Sequence, residues 1–499
     1  MALTIQLAGN TYGITSIAFA AVFLYITSVI FYRLYLHPLR AFPGPILWRI
    51  TSLPRAYHLA RGDIHFIVAD LHAKYGPIVR LSPVELAFND VDAWKEIYGH
   101  RTGGHPELAK HEGFNISVND RPRTVLTANR EEHGILRRQL SAGFSEKAMR
   151  AQAPLIDEYA NLLIRQLHKY CENGKVALNM KNWYNWTTFD IIGDLGFGSP
   201  FGSLRNASYH PWIEIITETI REGAFVRAMN HLGLQSVVLQ LYRSGLMKDH
   251  ENMELVRHKL NDRVNLGVER DDLIEALIKK KDESYLGPDR LAENANLLII
   301  AGSETTATVL CGVTWLLTTH PDKLAKLVAE VRSTFKSDEE INLISVGSLT
   351  YMLACLNESF RCYPPVAGDL PRESPKGGVT LLGKYVPEGT AVSIFQWPIN
   401  KNPLYWKDPE EYVPERWTGD PKYKDDKFEA MQPFSFGPRN CIGKNLAYAE
   451  MRLILAKVVY NFDLRIAEDS RDWLKGQKAY IVWEKPPLNV YLTPVVQKF

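Results

Sequence analysis

Among five cysteines, Cys441 alone stands on a turn that can bring its sulfur close to a partner. It lies in FSFGPRNCIG, Phe434 to Gly443, with Gly437 before it and Gly443 after it. A thiolate is a strong axial ligand to iron and pushes electron density onto the metal in a way that favours O–O cleavage. A loop that must lie flat under a macrocycle needs backbone freedom, which Gly437 and Gly443 supply. Backbone N–H groups aimed at the sulfur would temper its charge, and Arg439 can meet a haem propionate with a bidentate fork. The run GKNLAYAEMRLILAKVV from Gly443 reads as a helix, whose N-terminus favours an anionic sulfur. Cys171, Cys311, Cys355 and Cys362 suit the plainer role of small buried side chains. An odd count without a C-x-x-C pair argues against a disulfide framework or a structural zinc site and fits a reducing compartment.

A second constellation, AGSETT from Ala301 to Thr306, interrupts an apolar run: Leu297 to Ile300 precede it, and Val309 and Leu310 follow. Glycine inside a helix costs about 1 kcal/mol against alanine, and burying Glu304 without a partner would cost more. Breaches of this kind gather where function compensates. On the residues alone, a polar face with solvated Glu304 and Thr305 explains the run equally well. ESFR, Glu358 to Arg361, places a carboxylate and a guanidinium at i, i+3 on one helical face. Its neighbours Leu353, Leu356 and Phe360, and the terminating YPP, point to a buried pair. Such a pair must be well hydrogen-bonded to survive desolvation.

The cysteine loop matches F-x-x-G-x-R-x-C-x-G at every fixed position, and the chain resembles the cytochrome P-450 haem-thiolate family along essentially its whole length. The motifs fall in the family's order: EHGILRRQLSAGFS, AGSETT, ESFR, PERW, then the cysteine loop. The resemblance implies that Cys441 is the axial ligand of haem b, with Phe434, Gly437, Arg439 and Gly443 shaping its loop. It implies that Ala301 and Gly302 make a groove for dioxygen, while Glu304 and Thr305 relay protons. Arg416 of PERW would complete a structural triad with Glu358 and Arg361. The family's propionate helix usually carries Trp-x-x-x-Arg; here His133 and Arg137 stand in those places, and Arg372 of LPRESP occupies that of another propionate arginine.

These residues need a scaffold. Helical periodicity dominates from Val91 onward and reads as a mostly α fold with a minor β portion (α+β); the resemblance implies one large haem domain behind an N-terminal transmembrane helix. No charge precedes Arg33, and Tyr12 to Tyr32 is almost wholly apolar, about the length that crosses a bilayer as a helix. Arg33, His37, Arg40, Arg49 and Arg55 follow on one side only, so the bulk of the chain should face the cytoplasm. A cleaved signal fits less well, because the segment is long for one and has no basic n-region. The expected division is an anchor at 1–32, a proline-rich linker at 33–55 that includes LHPLRAFPGP, and a haem domain at 56–499. GPIVRLSPVELAFND, Gly76 to Asp90, reads as two strands. Pro154 to Tyr170 and Asp289 to Thr319 read as helices, and the closing AYIVWEKPPLNVYLTP as paired strands. GDLGFGSPFGS resembles a dinucleotide fingerprint but misplaces its third glycine and lacks the strand–helix context.

The implied reaction is reductive activation of dioxygen and oxidation of a substrate, with NADPH as the distant electron source. The chain carries no flavin or nicotinamide motif, so a membrane-bound NADPH–cytochrome reductase, or a cytochrome b-type donor, should dock near the cysteine face. Arg138, Lys147 and Lys444 are candidates to guide an acidic partner. Charge is balanced, at 58 basic against 56 acidic residues, which leaves no nucleic-acid footprint. Small Ala301, Ala367 and Gly368 would leave room for substrate, and Leu297, Val366, Leu370 and the run from Ala479 to Val482 are apolar wall candidates, as expected for a nonpolar ligand. The texture is similar to microsomal members of filamentous fungi that tailor terpenes, polyketides or alkaloids, an argument by analogy alone. Two other classes stay open: a haem-thiolate isomerase or dehydratase, which intact Glu304-Thr305 argues against, and a non-catalytic membrane haem or lipid binder.

Overall fold

The apolar N-terminal run forms one helix, α1 (Ala2–Phe31), in the computed structural model of the protein, and from Thr15 onward it is exposed nearly throughout. The model describes residues 2–101, 107–114, 122–245, 252–275, 278 and 287–495. Residue 1 of the expected anchor, and residues 102–106, 115–121, 246–251, 276–277, 279–286 and 496–499 of the expected haem domain, lie outside these.

The segment expected as a linker is docked on the strands that follow it. A π-turn (Tyr32–Leu36), a short 3-10 turn (Pro38–Ala41) and a helical turn (Ile46–Ile50) lead on to α2 (Leu53–Arg61). Guanidinium groups satisfy the carbonyls left open where helices end: Arg80 Nη1 donates to the Arg33 carbonyl at 3.1 Å and Arg49 Nη2 to the Arg40 carbonyl at 3.0 Å. Arg55, expected at the linker's end, is buried within α2 and pairs with Glu85 and Asp369.

Beyond α3 (Ile64–Tyr75) come strands β1 (Ile78–Ser82) and β2 (Glu85–Phe88), the two predicted strands. They belong to a five-stranded sheet with β3 (Ala109–Lys110), β4 (Arg372–Glu373) and β5 (Ala391–Ile394), in the order β1-β2-β5-β4-β3. Only β2 and β5 run parallel. The rest is chiefly helical. Relevant here are α4 (Asp92–Tyr98), α5 (Arg130–Leu140), α6 (Glu146–Tyr170), α7 (Met180–Phe197), α8 (Pro211–His231), α9 (Pro288–Thr319), α10 (Thr350–Cys362) and α11 (Lys444–Asn461).

Helix α9 runs through the core, packed against α7, α10 and α11, and α7 is buried on nearly every side. Two boundaries differ from the sequence reading. Helix α6 begins at Glu146, where Ser145 Oγ accepts from the Ala148 N–H at 3.2 Å; Pro154, which reads as a helix start, lies inside. The closing strands do not simply pair with each other. Lys478–Ala479 and Trp483–Glu484 form a short hairpin, whereas Asn489–Pro494 pairs with Ala177–Asn179 and Phe462–Ile466. The fingerprint-like GDLGFGS is the last turn of α7, ended by Gly198 in the left-handed region at φ +69°.

Candidate active site

The cysteine loop is shaped by one glycine more than the other. Gly437 has φ +74°, and a Cβ there would lie 2.0 Å from the Tyr98 carbonyl oxygen at the end of α4. Gly443 has ordinary φ, and a Cβ there would meet nothing closer than 3.7 Å. The Cys441 N–H donates to the Phe434 carbonyl at 2.8 Å, which closes the loop. Phe434 in turn packs on Phe360 of α10 and Tyr448 of α11. Cys441 itself is exposed, yet enclosed enough that burial pushes its thiol pKa up; a hydrogen bond from Gly443 and the charges of Arg137 and Lys444 oppose that shift. The exposed sulfur is thus open to a partner.

Helix α9 supplies a second wall. Ala301 is exposed and Thr305 half-buried in a helix whose flanking Ser303, Thr306 and Ala307 are buried, so this stripe is the open side of a core helix. Gly302 does not share that face. A Cβ there would lie 2.8 Å from Ile192 Cδ1, so its missing side chain lets α9 approach α7. Glu304 and Thr305 do not meet each other. Glu304 pairs with Lys485 at 2.6 Å, while the Thr305 hydroxyl donates to the Ala301 carbonyl at 2.6 Å.

The predicted cationic residues gather in one place. Arg439 bonds Glu107 at 2.7 Å and the Ala128 carbonyl at 2.7 Å; Arg372 donates to the Leu108 carbonyl at 3.2 Å; and Arg137 of α5 holds Asn440, its Nη2 donating to Oδ1 at 2.7 Å. His133, one turn before Arg137, is buried. A fifth nitrogen donor has no motif in the sequence: Lys110, which β3 places in register with Arg372 of β4. Glu107 is the one carboxylate paired with any of these five among the described residues. Their mutual repulsion is visible in their ionisation. Lys110 is pushed down to about 7 by burial, then by Arg372 and Arg439. His133 falls to about 4 by burial, then by Arg439 and Lys110. Burial and Arg439 lower Arg372 also. A partly buried excess of positive charge around one carboxylate suits a ligand that brings two more carboxylates. On that chemistry the site fits a haem.

The triad assembles with additions. Glu358 Oε1 lies 2.7 Å from Arg361 Nη2 and 3.0 Å from Arg416 Nε, and all three side chains are fully buried. Trp417 Nε1 and the Val413 N–H also donate to Glu358, and Asp426 pairs with Arg416, so two carboxylates balance two guanidiniums. The docking candidates Arg138, Lys147 and Lys444 are all exposed. Arg138 joins Glu107, His133, Arg137 and Pro438 in lining a surface cleft of about 380 Å³. Of the wall candidates, Leu297, Val366 and Leu370 are half-buried and Ala367 is buried. Ala479 instead bonds the Gly62 carbonyl at 2.8 Å, against the end of α2.

The model of the family described as cytochrome P-450 matches residues 42–492 of the chain. The chain is 45% identical to the cytochrome P-450 monooxygenase tpeC of Talaromyces stipitatus, over 99% of this chain and 97% of the relative. It is 43% identical to the trichothecene C-15 hydroxylase of Fusarium sporotrichioides (94% of this chain, 96% of the relative). It is 40% identical to the averantin hydroxylase of Dothistroma septosporum (95% and 90%).

Proposed function

The chain belongs to the cytochrome P-450 family and is an oxidoreductase of its monooxygenase kind; from that premise we propose that it hydroxylates, epoxidises or otherwise oxidises a mostly apolar small molecule of fungal secondary metabolism, a terpenoid, polyketide or alkaloid. Relatives named as hydroxylases support the reaction type. The observation that carries the site is Cys441, held open on a loop that Gly437 alone permits.

Haem bound to a thiolate supplies the activation of dioxygen. This chain's residues do the rest. Cys441 holds the iron and Gly443 tempers the sulfur with its N–H. Arg137, Arg372, Arg439, His133 and Lys110 hold the propionates. Ala301 leaves space on the cleft wall, and Glu304 and Thr305 carry protons inward from solvent, Thr305 through Oγ1. Glu358, Arg361 and Arg416 fix the scaffold on the cysteine side. Electrons come from NADPH through a membrane-bound reductase or a cytochrome b-type donor, guided by Arg138, Lys147 and Lys444. The span 12–32 anchors the chain once in the endoplasmic reticulum membrane, with the catalytic domain on the cytoplasmic side.

The test is co-expression with a reductase in a host fed candidate metabolites, reading product masses for added oxygen. The wild-type chain should show the red-shifted CO spectrum of a thiolate-bound haem, and Cys441→Ala should lose both the spectrum and turnover. Product formed without NADPH would instead favour an isomerase or dehydratase.

A further inference from the structure

Tyr98, the last residue of α4, lies outside every motif yet touches both halves of the haem site. A Cβ at Gly437 would strike its carbonyl oxygen, so the tight turn of the cysteine loop rests against that carbonyl. Its ring lies beneath the Arg372 guanidinium, whose central carbon is 5.4 Å from the ring centroid. Its hydroxyl accepts from the Ile394 N–H of β5 at 3.2 Å. Strand β5 also carries Val392, which pairs with Arg372 of β4. The guanidinium and the strand that bears it are thus both tied to one residue, and Tyr98 and Arg372 are both buried.

A helix as short as α4 does not hold itself together in water; its tertiary contacts fix it. Ala93, Trp94, Ile97 and Tyr98 are all buried. Trp94 Nε1 donates to the Ala430 carbonyl at 3.0 Å, just ahead of the cysteine loop, and its ring packs on that of Tyr98 at 5.2 Å. Glu96 accepts from the Leu382 N–H at 2.6 Å. The ring of Tyr98 is therefore a fixed platform, and a guanidinium over an aromatic face is held most strongly where water is excluded. Arg372 has little else to orient it: among the described residues, its one hydrogen-bond acceptor is the Leu108 carbonyl at 3.2 Å.

We propose that Tyr98 is the positioning residue that keeps the cysteine loop and the propionate cradle in register: its carbonyl seats the loop at Gly437, and its ring face aims Arg372. The inference rests on the reading above in which Cys441 holds the iron and Arg372 a propionate. The two contacts separate under mutation. The carbonyl is backbone and survives substitution, whereas the aim of Arg372 depends on the ring. With an aliphatic side chain at this position Arg372 keeps the Leu108 carbonyl and loses its platform, so its charge spreads over more orientations. A fixed cation favours the reduced, less positively charged form of a nearby metal centre. A loosened Arg372 should then lower the reduction potential and weaken haem retention together.

The experiment uses the full haem-loaded chain and reads two quantities other than turnover: the rate of haem transfer to a scavenging apoprotein, and the reduction potential. Tyr98→Leu should speed transfer about threefold or more and lower the potential. Tyr98→Phe keeps the aromatic face and should stay near the wild type in both. Ile97→Ala removes buried packing from the same helix and leaves the ring in place. It should lower the thermal midpoint without moving either quantity, which a merely structural role for α4 would not allow. Since Tyr98 acts through Arg372, the Tyr98→Leu/Arg372→Met double variant should match Arg372→Met alone in both. Where Tyr98→Leu folds too poorly to load haem, Tyr98→Met fills more of the ring's volume and carries the same comparison. A red-shifted CO band with wild-type transfer and potential in the aliphatic variant would overturn the positioning role. Effects that add in full to those of Arg372→Met, or an equal response in Ile97→Ala, would overturn it too. Absence of that band in the wild-type chain would overturn the underlying haem-thiolate reading instead.

Discussion

Arg416 Nε and Glu358 Oε1 lie 3.0 Å apart across 58 residues of sequence, with neither side chain exposed. The contact joins α10 to the 3-10 turn Pro414–Thr418. Arg361 extends it, donating to the carbonyls of Asn400, Pro409 and Glu411. One carboxylate thus organises the meander that leads to the cysteine loop, and its burial is tolerated because its oxygens are met by two guanidiniums, an indole and a backbone N–H.

Glu358→Ala should therefore fail as a scaffold and not as a chemical step. It leaves the buried Arg361 guanidinium without its carboxylate and Arg416 with Asp426 alone, a loss of about 3–5 kcal/mol. The yield of haem-loaded protein and the amplitude of the red-shifted CO band should collapse together. Arg416→Lys should rescue poorly, because an ammonium cannot reproduce the guanidinium fork.

Gly437→Ala and Gly443→Ala should separate cleanly. At Gly437 the added methyl faces the Tyr98 carbonyl at 2.0 Å with φ at +74°, so a left-handed penalty of about 1–2 kcal/mol adds to a backbone collision. At Gly443 the nearest atoms are 3.7 Å away, with Cys441 Sγ next at 3.9 Å. Spectra of the two variants should show Gly437→Ala losing the thiolate-type CO band and Gly443→Ala largely keeping it.

Most of this site was legible in the chain because its demands are local. A ligand loop and an i, i+3 ion pair each write themselves into a few adjacent residues, so Cys441, Glu358 and Arg361 could be named directly, whereas Ala301 and Thr305 needed the resemblance to tell them from a solvated polar face. What stayed hidden depends on tertiary placement. Lys110 carries no local signal and matters only because β3 pairs with β4, setting it opposite Arg372. Lys485 sits in a loop, 181 residues from the carboxylate it holds. The packing role of Gly302 likewise needed Ile192, which lies on another helix. The fold class followed from helical periodicity, whereas the partners of the last strand, fixed by long-range pairing, did not.

Lys110→Met should loosen the haem. Removing one cation from the propionate cradle forfeits a charge-assisted hydrogen bond of about 1.5–3 kcal/mol, so haem loss to a scavenging apoprotein should quicken about tenfold or more. The haem-free chain should respond in the opposite sense. Lys110 titrates near 7 there instead of at its ordinary 10.5. Between those values the unfolded chain binds more protons than the folded one, and this group makes stability rise with pH. Lys110→Met should flatten that rise in denaturant titrations of the extracted protein.

His65 should govern part of the acid limb of stability. It is fully buried in α3 among Phe66, Trp397 and Trp483, its ring centroid 4.0 Å from that of Phe66 and 4.9 Å from that of Trp483, and neither ring nitrogen has a partner among the described residues. Burial alone lowers its pKa from 6.5 to about 3. The folded chain therefore keeps the ring neutral where the unfolded chain protonates it. The contribution is intact above pH 6.5 and is lost as pH falls from there toward 3, at up to about 1.4 kcal/mol per pH unit. His65→Phe preserves an aromatic ring in an aromatic box and removes the titration. Urea unfolding across that window should show a slope shallower by up to one proton, with stability above pH 7 little changed. An unaltered slope would mean that the ring finds a proton acceptor in the folded chain.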